Sequence, residues 1–141
     1  MKVNFAICDD NVVYSNYVKE LVTNWSNNKK YQINIDVFSS AEAFIFHYAE
    51  NKEYDILLLD IEIGDMNGVT LAKKIRKYDK SVQIVFITGY SDYIAEGYDV
   101  EALHYLMKPL REDKLYDVLD RAVDRMKQNE KHLVLNTFNT K

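Results

Sequence analysis

Val3-Asn4-Phe5-Ala6-Ile7-Cys8-Asp9-Asp10 opens the chain, and Ile56-Leu57-Leu58-Leu59-Asp60 repeats its plan further on: an apolar run that ends on aspartate. Continuous apolar runs of this length read as strands covered on both faces. Carboxylates at the exits of buried strands are costly unless something cationic or phosphorylated gathers them. Two more runs end on a polar residue, Val82-Gln83-Ile84-Val85-Phe86-Ile87 on Thr88 and Leu103-His104-Tyr105-Leu106-Met107 on Lys108. Carboxylates, a hydroxyl and an ammonium at successive strand ends are the components of a phosphoryl-transfer site with a divalent cation.

Working outward, the strand candidates are Val3–Cys8, Ile33–Val37, Tyr54–Leu59, Val82–Ile87 and Ala102–Met107. Amphipathic stretches lie between them. Val13, Tyr17, Leu21 and Trp25 recur every four residues and predict one stripe of a first helix against the sheet. Ala72 and Ile75 do the same in the third helix, and Leu115, Val118, Leu119, Ala122 and Met126 in the last. Ser39 or Ser40 suits the N-cap of the second helix, with Glu42 or Ala43 in its first turn. Asn27-Asn28-Lys29-Lys30 reads as a turn. Strict alternation implies a doubly wound, five-stranded parallel α/β sheet with flanking helices and right-handed crossovers. In such sheets ligands sit beyond the carboxyl ends of the strands. Asp9, Asp10, Asp60, Thr88 and Lys108 all lie at those ends.

The chain of 141 residues fits one domain with a substantial core, since 48% of it is apolar. A net charge of −4 leaves no basic footprint for nucleic acid. The single cysteine, Cys8, lies inside a strand and reads as a buried small residue rather than a nucleophile or ligand. No apolar run reaches membrane-spanning length and no signal-peptide pattern opens the chain, so a cytoplasmic location with no membrane partner is expected. Lys131-His132-Leu133-Val134-Leu135-Asn136-Thr137-Phe138 reads as a short alternating strand, either an ordered tail or the first strand of a further domain.

Each site residue has a plain alternative. Asp9-Asp10 suits an exposed turn into a helix, where acids complement the dipole. Read instead as a converging set with Asp60, these carboxylates raise one another's pKa unless a cation offsets the repulsion. Magnesium suits such an all-oxygen site. His47, His104 and His132 are scattered, and no histidine–cysteine cluster competes for a softer metal. Asp60 is the candidate nucleophile, able to form an acyl phosphate if the added charge is neutralised, or else a turn aspartate as Asp65 is within Gly64-Asp65-Met66-Asn67-Gly68. Lys108 would place a point charge on phosphate oxygens, or be a solvated strand-end lysine. Thr88 would donate its hydroxyl to a phosphoryl oxygen, or cap the next helix. Gly89 beside it leaves room for close backbone approach.

Cys8-Asp9-Asp10-Asn11, Leu58-Leu59-Asp60-Ile61-Glu62, Met66-Asn67-Gly68, Ile87-Thr88-Gly89 and Tyr105-Leu106-Met107-Lys108-Pro109 together resemble the receiver domain of two-component response regulators over roughly residues 1–127. The resemblance implies a flavodoxin-like strand order 2-1-3-4-5. It implies a phosphoacceptor switch rather than an enzyme acting on other molecules, one that catalyses only its own phosphoryl transfer and autodephosphorylation. Asp60 would accept a phosphoryl group from a phosphohistidine on a sensor histidine kinase. Magnesium would be held by Asp10, Asp60 and the main-chain carbonyl of Glu62, with Asp9 acting through water. Lys108 would pair with the phosphate, and Lys108-Pro109 would be a cis peptide. Thr88 moving toward the phosphate would let Tyr105 turn inward and change the surface formed by the fourth helix, fifth strand and fifth helix, with homodimerisation as one outcome. Glu62 and Tyr90 occupy the positions that tune acyl-phosphate hydrolysis.

Ile63-Gly64 stands where many receivers carry Met-Pro, which alters the rigidity of that loop and removes no reacting group. The stretch from Gly89 to Ala102 resembles receivers attached to LytTR-type DNA-binding domains. Residues 128–141 would then be a linker and the start of such a domain, and DNA would be met only through it. Tyr90, Tyr93 and Tyr98 suit either a dimer interface or core filling. Three other readings compete. A stand-alone receiver would signal by docking alone. A phosphatase with an aspartate nucleophile would place nucleophile and acid two residues apart on the first strand, unlike Asp9 and Asp10. A degenerate receiver would lack part of the set that is intact here.

Overall fold

Strand alternation decides which core each residue enters, because successive side chains point to opposite faces of a sheet. Val3, Phe5 and Ile7 enter one core with Ile56, Leu58, Val85 and Ile87, whereas Ala6, Cys8, Leu57, Leu59, Ile84 and Phe86 enter the other. The computed structural model describes residues 1–50 and 53–139. Along the chain these form β1 (Lys2–Cys8), α1 (Val12–Lys29), β2 (Gln32–Phe38), α2 (Ala41–Tyr48), β3 (Ile56–Leu59), β4 (Glu62–Ile63), β5 (Met66–Asn67), α3 (Gly68–Tyr78), β6 (Gln83–Thr88), α4 (Ile94–Asp99), β7 (His104–Met107) and α5 (Glu112–Asn139).

The five long strands form one parallel sheet in the order β2-β1-β3-β6-β7. Without the two-residue strands this is the expected 2-1-3-4-5. Helices α1 and α5 cover one face through Val18, Leu21, Trp25, Leu115 and Leu119. Helices α2 and α3 cover the other through Phe44, Leu71, Ala72 and Ile75. β4 and β5 form an antiparallel pair around Gly64, whose φ of 62° lies in the left-handed region that glycine tolerates. This hairpin escaped the sequence reading, which saw only a turn there.

Three expectations are corrected. The stripe of α1 runs through Val18, Leu21, Val22 and Trp25, while Val13 is 80% exposed and Tyr17 lies at the surface. A strict four-residue spacing drifts about 40° per step from the helical period, so its early members leave the buried face. Asn27–Lys29 belong to α1 itself, and the left-handed cap falls on Lys30, whose N–H donates to the Asn27 carbonyl. The tail read as a strand from Lys131 to Phe138 is helical backbone continuous with α5. The helical ladder already takes its backbone groups, and no glycine or proline interrupts that helix. Ser40 is the N-cap of α2 as expected, accepting from the Ala43 N–H.

Beyond α3 the chain is held by Asp79, whose carboxylate accepts from the Ser81 N–H and hydroxyl, the Val82 N–H and the Tyr48 hydroxyl. Burial pushes its pKa up, but these donors outweigh burial and leave it below the ordinary value. A depressed folded pKa means that the ionised form's contribution is complete above the unfolded pKa of about 3.9 and is lost as pH falls through the folded value. Asp79→Asn is therefore expected to lower the urea midpoint by a constant amount above about pH 5, with the difference closing below about pH 4. A difference independent of pH would show that the charge plays no part.

Candidate functional site

Register brings the site together. Cys8 lies opposite Leu59, Leu59 opposite Phe86, and Thr88 opposite Met107, so the next residues of β1, β3 and β7 emerge side by side. Asp60 N–H donates to the Cys8 carbonyl at 2.9 Å, and Lys108 N–H to the Thr88 carbonyl at 2.8 Å. Asp9 and Asp60 are 5% and 7% exposed, Thr88 is fully buried, and Asp10 lies at the surface.

Lys108 Nζ bridges Asp9 Oδ2 at 2.9 Å and Asp60 Oδ2 at 3.0 Å. The remaining oxygens are held as well, Asp60 Oδ1 by the Ile61 N–H at 2.7 Å and Asp9 Oδ1 by the Asn11 N–H at 2.9 Å. Burial pulls the Lys108 ammonium down, yet its bonds to Asp9 and Asp60 more than offset this and raise its pKa. Burial is also the main reason the Asp9 carboxyl is raised, against the pull of Asn11 and Lys108 and with the added push of Asp60. Carboxylate oxygens of Asp9, Asp10 and Asp60 lie within 4.8 Å of one another. That hard, all-oxygen donor set suits a magnesium ion. Among the described residues it is the only cluster of three or more carboxylate, histidine or cysteine side chains close enough to share a metal. Cys8 is buried and its thiol is pushed far up by that burial, as a packing residue should be.

Thr88 Oγ1 accepts the Tyr90 N–H at 3.3 Å. It does not cap α4, which starts at Ile94 without a side-chain cap. Tyr105 packs its ring on Phe86 and donates its hydroxyl to the Tyr90 carbonyl. The Tyr90 hydroxyl donates to Glu62 Oε2, so that carboxylate stands outside the aspartate cluster. The Lys108–Pro109 peptide is cis. Gly89 has open space around it, and the close backbone approach expected there occurs instead at Gly68. Of the three tyrosines singled out, Tyr93 packs against the core beneath α3, whereas Tyr90 and Tyr98 are exposed.

Tyr14 and Arg76 were missed. The Tyr14 ring lies 4.2 Å from Lys108 Nζ, and its hydroxyl accepts the Leu110 N–H at 2.7 Å. It therefore holds the ammonium and the segment behind it from the first turn of α1. Arg76 donates to the carbonyls of Asp79, Val82, Val100 and Glu101, tying the end of α3 to the end of α4. Nothing in one-dimensional spacing marks either residue.

Residues 5–120 match the family model for the response regulator receiver domain, and the chain belongs to that family. It is 36% identical over 78 residues to sensory transduction protein LytT of Enterococcus faecalis, covering 55% of this chain and 32% of that protein. Against transcriptional regulatory protein NatR of Bacillus subtilis it is 33% identical over 90 residues, covering 63% and 39%. The crystal structure of the response regulatory domain of protein mrkE from Klebsiella pneumoniae superposes with a TM-score of 0.77 at 24% identity, covering 89% of this chain and 99% of that one. The match to the curated relatives thus spans only about a third of their length. Among the described residues no helix is long and apolar enough to cross a membrane.

Proposed function

We propose that this receiver domain accepts a phosphoryl group on Asp60 from a phosphohistidine of a sensor histidine kinase and passes the change to an output that controls transcription. The observation carrying this reading is the buried Asp9–Lys108–Asp60 bridge beside Asp10 at the strand ends. An oxygen of the Asp60 carboxylate attacks phosphorus, the phosphorus–nitrogen bond breaks, and the imidazole leaves with a proton in place of the phosphoryl group. Held by Asp10, Asp60 and the main-chain carbonyl of Glu62, with Asp9 acting through water, magnesium would offset the charge on the transferring group. Lys108 keeps its proton and pairs with a phosphoryl oxygen.

Tyr90 links the chemistry to the surface. Its N–H is the donor to Thr88 and its carbonyl the acceptor for Tyr105. A Thr88 hydroxyl turned toward a phosphoryl oxygen gives up the first bond and biases the second, which shifts the population of two packings of α4 against β7. Ile94, Tyr98 and Met107 stand exposed on that face and suit a homodimer of the phosphorylated form. Tyr90 and Glu62 together shield the acyl phosphate from water. The LytT and NatR relatives support a transcriptional output, with residues 128–141 as the linker toward it; residues 140 and 141 lie outside those described.

Intact mass after incubation with acetyl phosphate tests the reading. One phosphoryl adduct is expected with magnesium, none with chelator, and none in Asp60→Asn. An adduct persisting in Asp60→Asn would place the acceptor elsewhere, and no adduct in the wild type would leave docking alone as the function. In the same assay Tyr14→Leu should slow labelling on the order of tenfold, the effect of losing a desolvated cation–π contact of about 1.4 kcal/mol or more. Tyr14→Phe keeps the ring and should stay within about threefold. Equal losses in both variants would assign the effect to the hydroxyl and not to the ring under Lys108.

A further inference from the structure

Helix α3 carries Lys73, Lys74, Arg76 and Lys77 with no acidic residue, and Lys80 follows it, in a chain whose net charge is −4. Arg76 is engaged by four carbonyls. Lys73, Lys74, Lys77 and Lys80 are exposed, and among the described residues none of them forms an ion pair within 4.0 Å. Lys77 lies in the last turn, where a cation complements the helix dipole, but Lys73 and Lys74 stand a turn earlier, where that effect has faded. The facing α2 offers Glu42 at its start and Glu50 just beyond its end, and the Asp79 carboxylate is already occupied by Tyr48, Ser81 and Val82.

Between the C-terminal halves of α2 and α3 opens an apolar groove of about 510 Å³ lined by Ile45, Tyr48, Ala49, Lys74, Ile75 and Tyr78. Tyr78 is 84% exposed at its rim and Phe46 is 73% exposed on α2. The Tyr48 wall of the groove is pre-set, since Tyr48 donates to Asp79 Oδ2 at 3.1 Å and packs against Phe44. The phosphoacceptor chemistry uses none of these residues.

We propose that this groove docks an acidic amphipathic helix of a partner protein, whose apolar stripe seats between Tyr48 and Tyr78 and whose carboxylates meet Lys73, Lys74 and Lys77. A helix laid in a preformed apolar groove with charges along its rim is a recurrent recognition mode. A concave apolar lining suits inserted side chains better than a lipid surface, which takes projecting apolar groups. Nucleic acid would call for free arginines and stacking faces along a basic track rather than an apolar cleft.

The test titrates the ¹⁵N-labelled full chain, without phosphoryl donor, with a synthetic helix carrying Leu at i, i+3, i+4 and i+7 and Glu elsewhere. Parallel arms use the same helix with Lys for Glu, phosphatidylglycerol vesicles and duplex DNA. Amide shifts should cluster on α2 and α3. Kd should rise at least tenfold in the Lys73→Glu/Lys74→Glu/Lys77→Glu variant and in Tyr78→Ser, and stay unchanged in Lys19→Glu on α1. The spectra themselves report whether each variant is folded. Shifts absent from α2 and α3, equal binding of the Lys helix, or preferential binding of vesicles or DNA would each overturn the proposal. Because no phosphoryl donor is present, the outcome is independent of whether Asp60 is phosphorylated.

Discussion

Gly68→Ala should destabilise the domain by about 3 kcal/mol or more and slow labelling of Asp60 by at least an order of magnitude, an effect at the upper end of overpacking losses. A Cβ on Gly68 would lie 2.0 Å from the Asp60 carbonyl oxygen, 2.9 Å from its carbonyl carbon and 3.0 Å from the Ile61 Cα. All three are backbone atoms, so no side chain can swing aside. The Gly68 N–H also donates to the Ile61 carbonyl at 2.6 Å, which anchors the start of α3 against the strand end that carries Asp60. Relieving the clash must separate the two and move Asp60 relative to Lys108. Gly89→Ala is the matched control. Nothing lies within 4 Å of the added carbon there, and stability should change by less than about 0.5 kcal/mol. Urea midpoints and acetyl phosphate labelling of both variants check the pair. Wild-type labelling in Gly68→Ala would mean that the α3 terminus moves without disturbing Asp60.

Trp25→Ala is expected to cost about 3–5 kcal/mol, much of the roughly 5–15 kcal/mol that a domain of this kind has in all. Trp25 is 1% exposed and meets Phe5 and Tyr31 edge-on at centroid distances of 6.2 and 5.5 Å. Its indole N–H donates to Asp120 Oδ1 at 2.9 Å, which ties α1 to α5 across one face of the sheet. Trp25→Phe keeps most of the packing and loses that bond, and should cost about 1–2 kcal/mol. Unfolding must be followed by far-UV circular dichroism, because Trp25 is the only tryptophan and its removal silences the usual fluorescence. A loss below about 1 kcal/mol for Trp25→Ala would mean that the core collapses around the cavity.

Much of the candidate site was legible because it depends on where strands stop. Asp9, Asp60, Thr88 and Lys108 each follow an apolar run, and a parallel sheet leaves those ends at one edge. The features that escaped depend on reach across the chain. Tyr14 and Lys108 lie far apart in sequence, as do Arg76 and Val100, and spacing along one helix says nothing about either pair. The α1 stripe misled for a related reason: Val13 and Tyr17 fit a four-residue repeat, but only the sheet decides which residues α1 buries. The tail misled because no glycine or proline ends α5 before it, so the helix runs on through the alternating residues.

Taken by itself, the amino-acid sequence determined the five strand segments, the polar exits of four of them and the helices between them, because these follow from periodicity within short segments. Tertiary structure alone decided that Gly68 must be glycine, that Tyr14 lies under Lys108, that Arg76 ties α3 to α4, and that a basic apolar groove opens between α2 and α3. Each of these depends on atoms brought within contact by packing of the helices on the sheet, and such short-range contacts leave no trace in the spacing of residues along the chain.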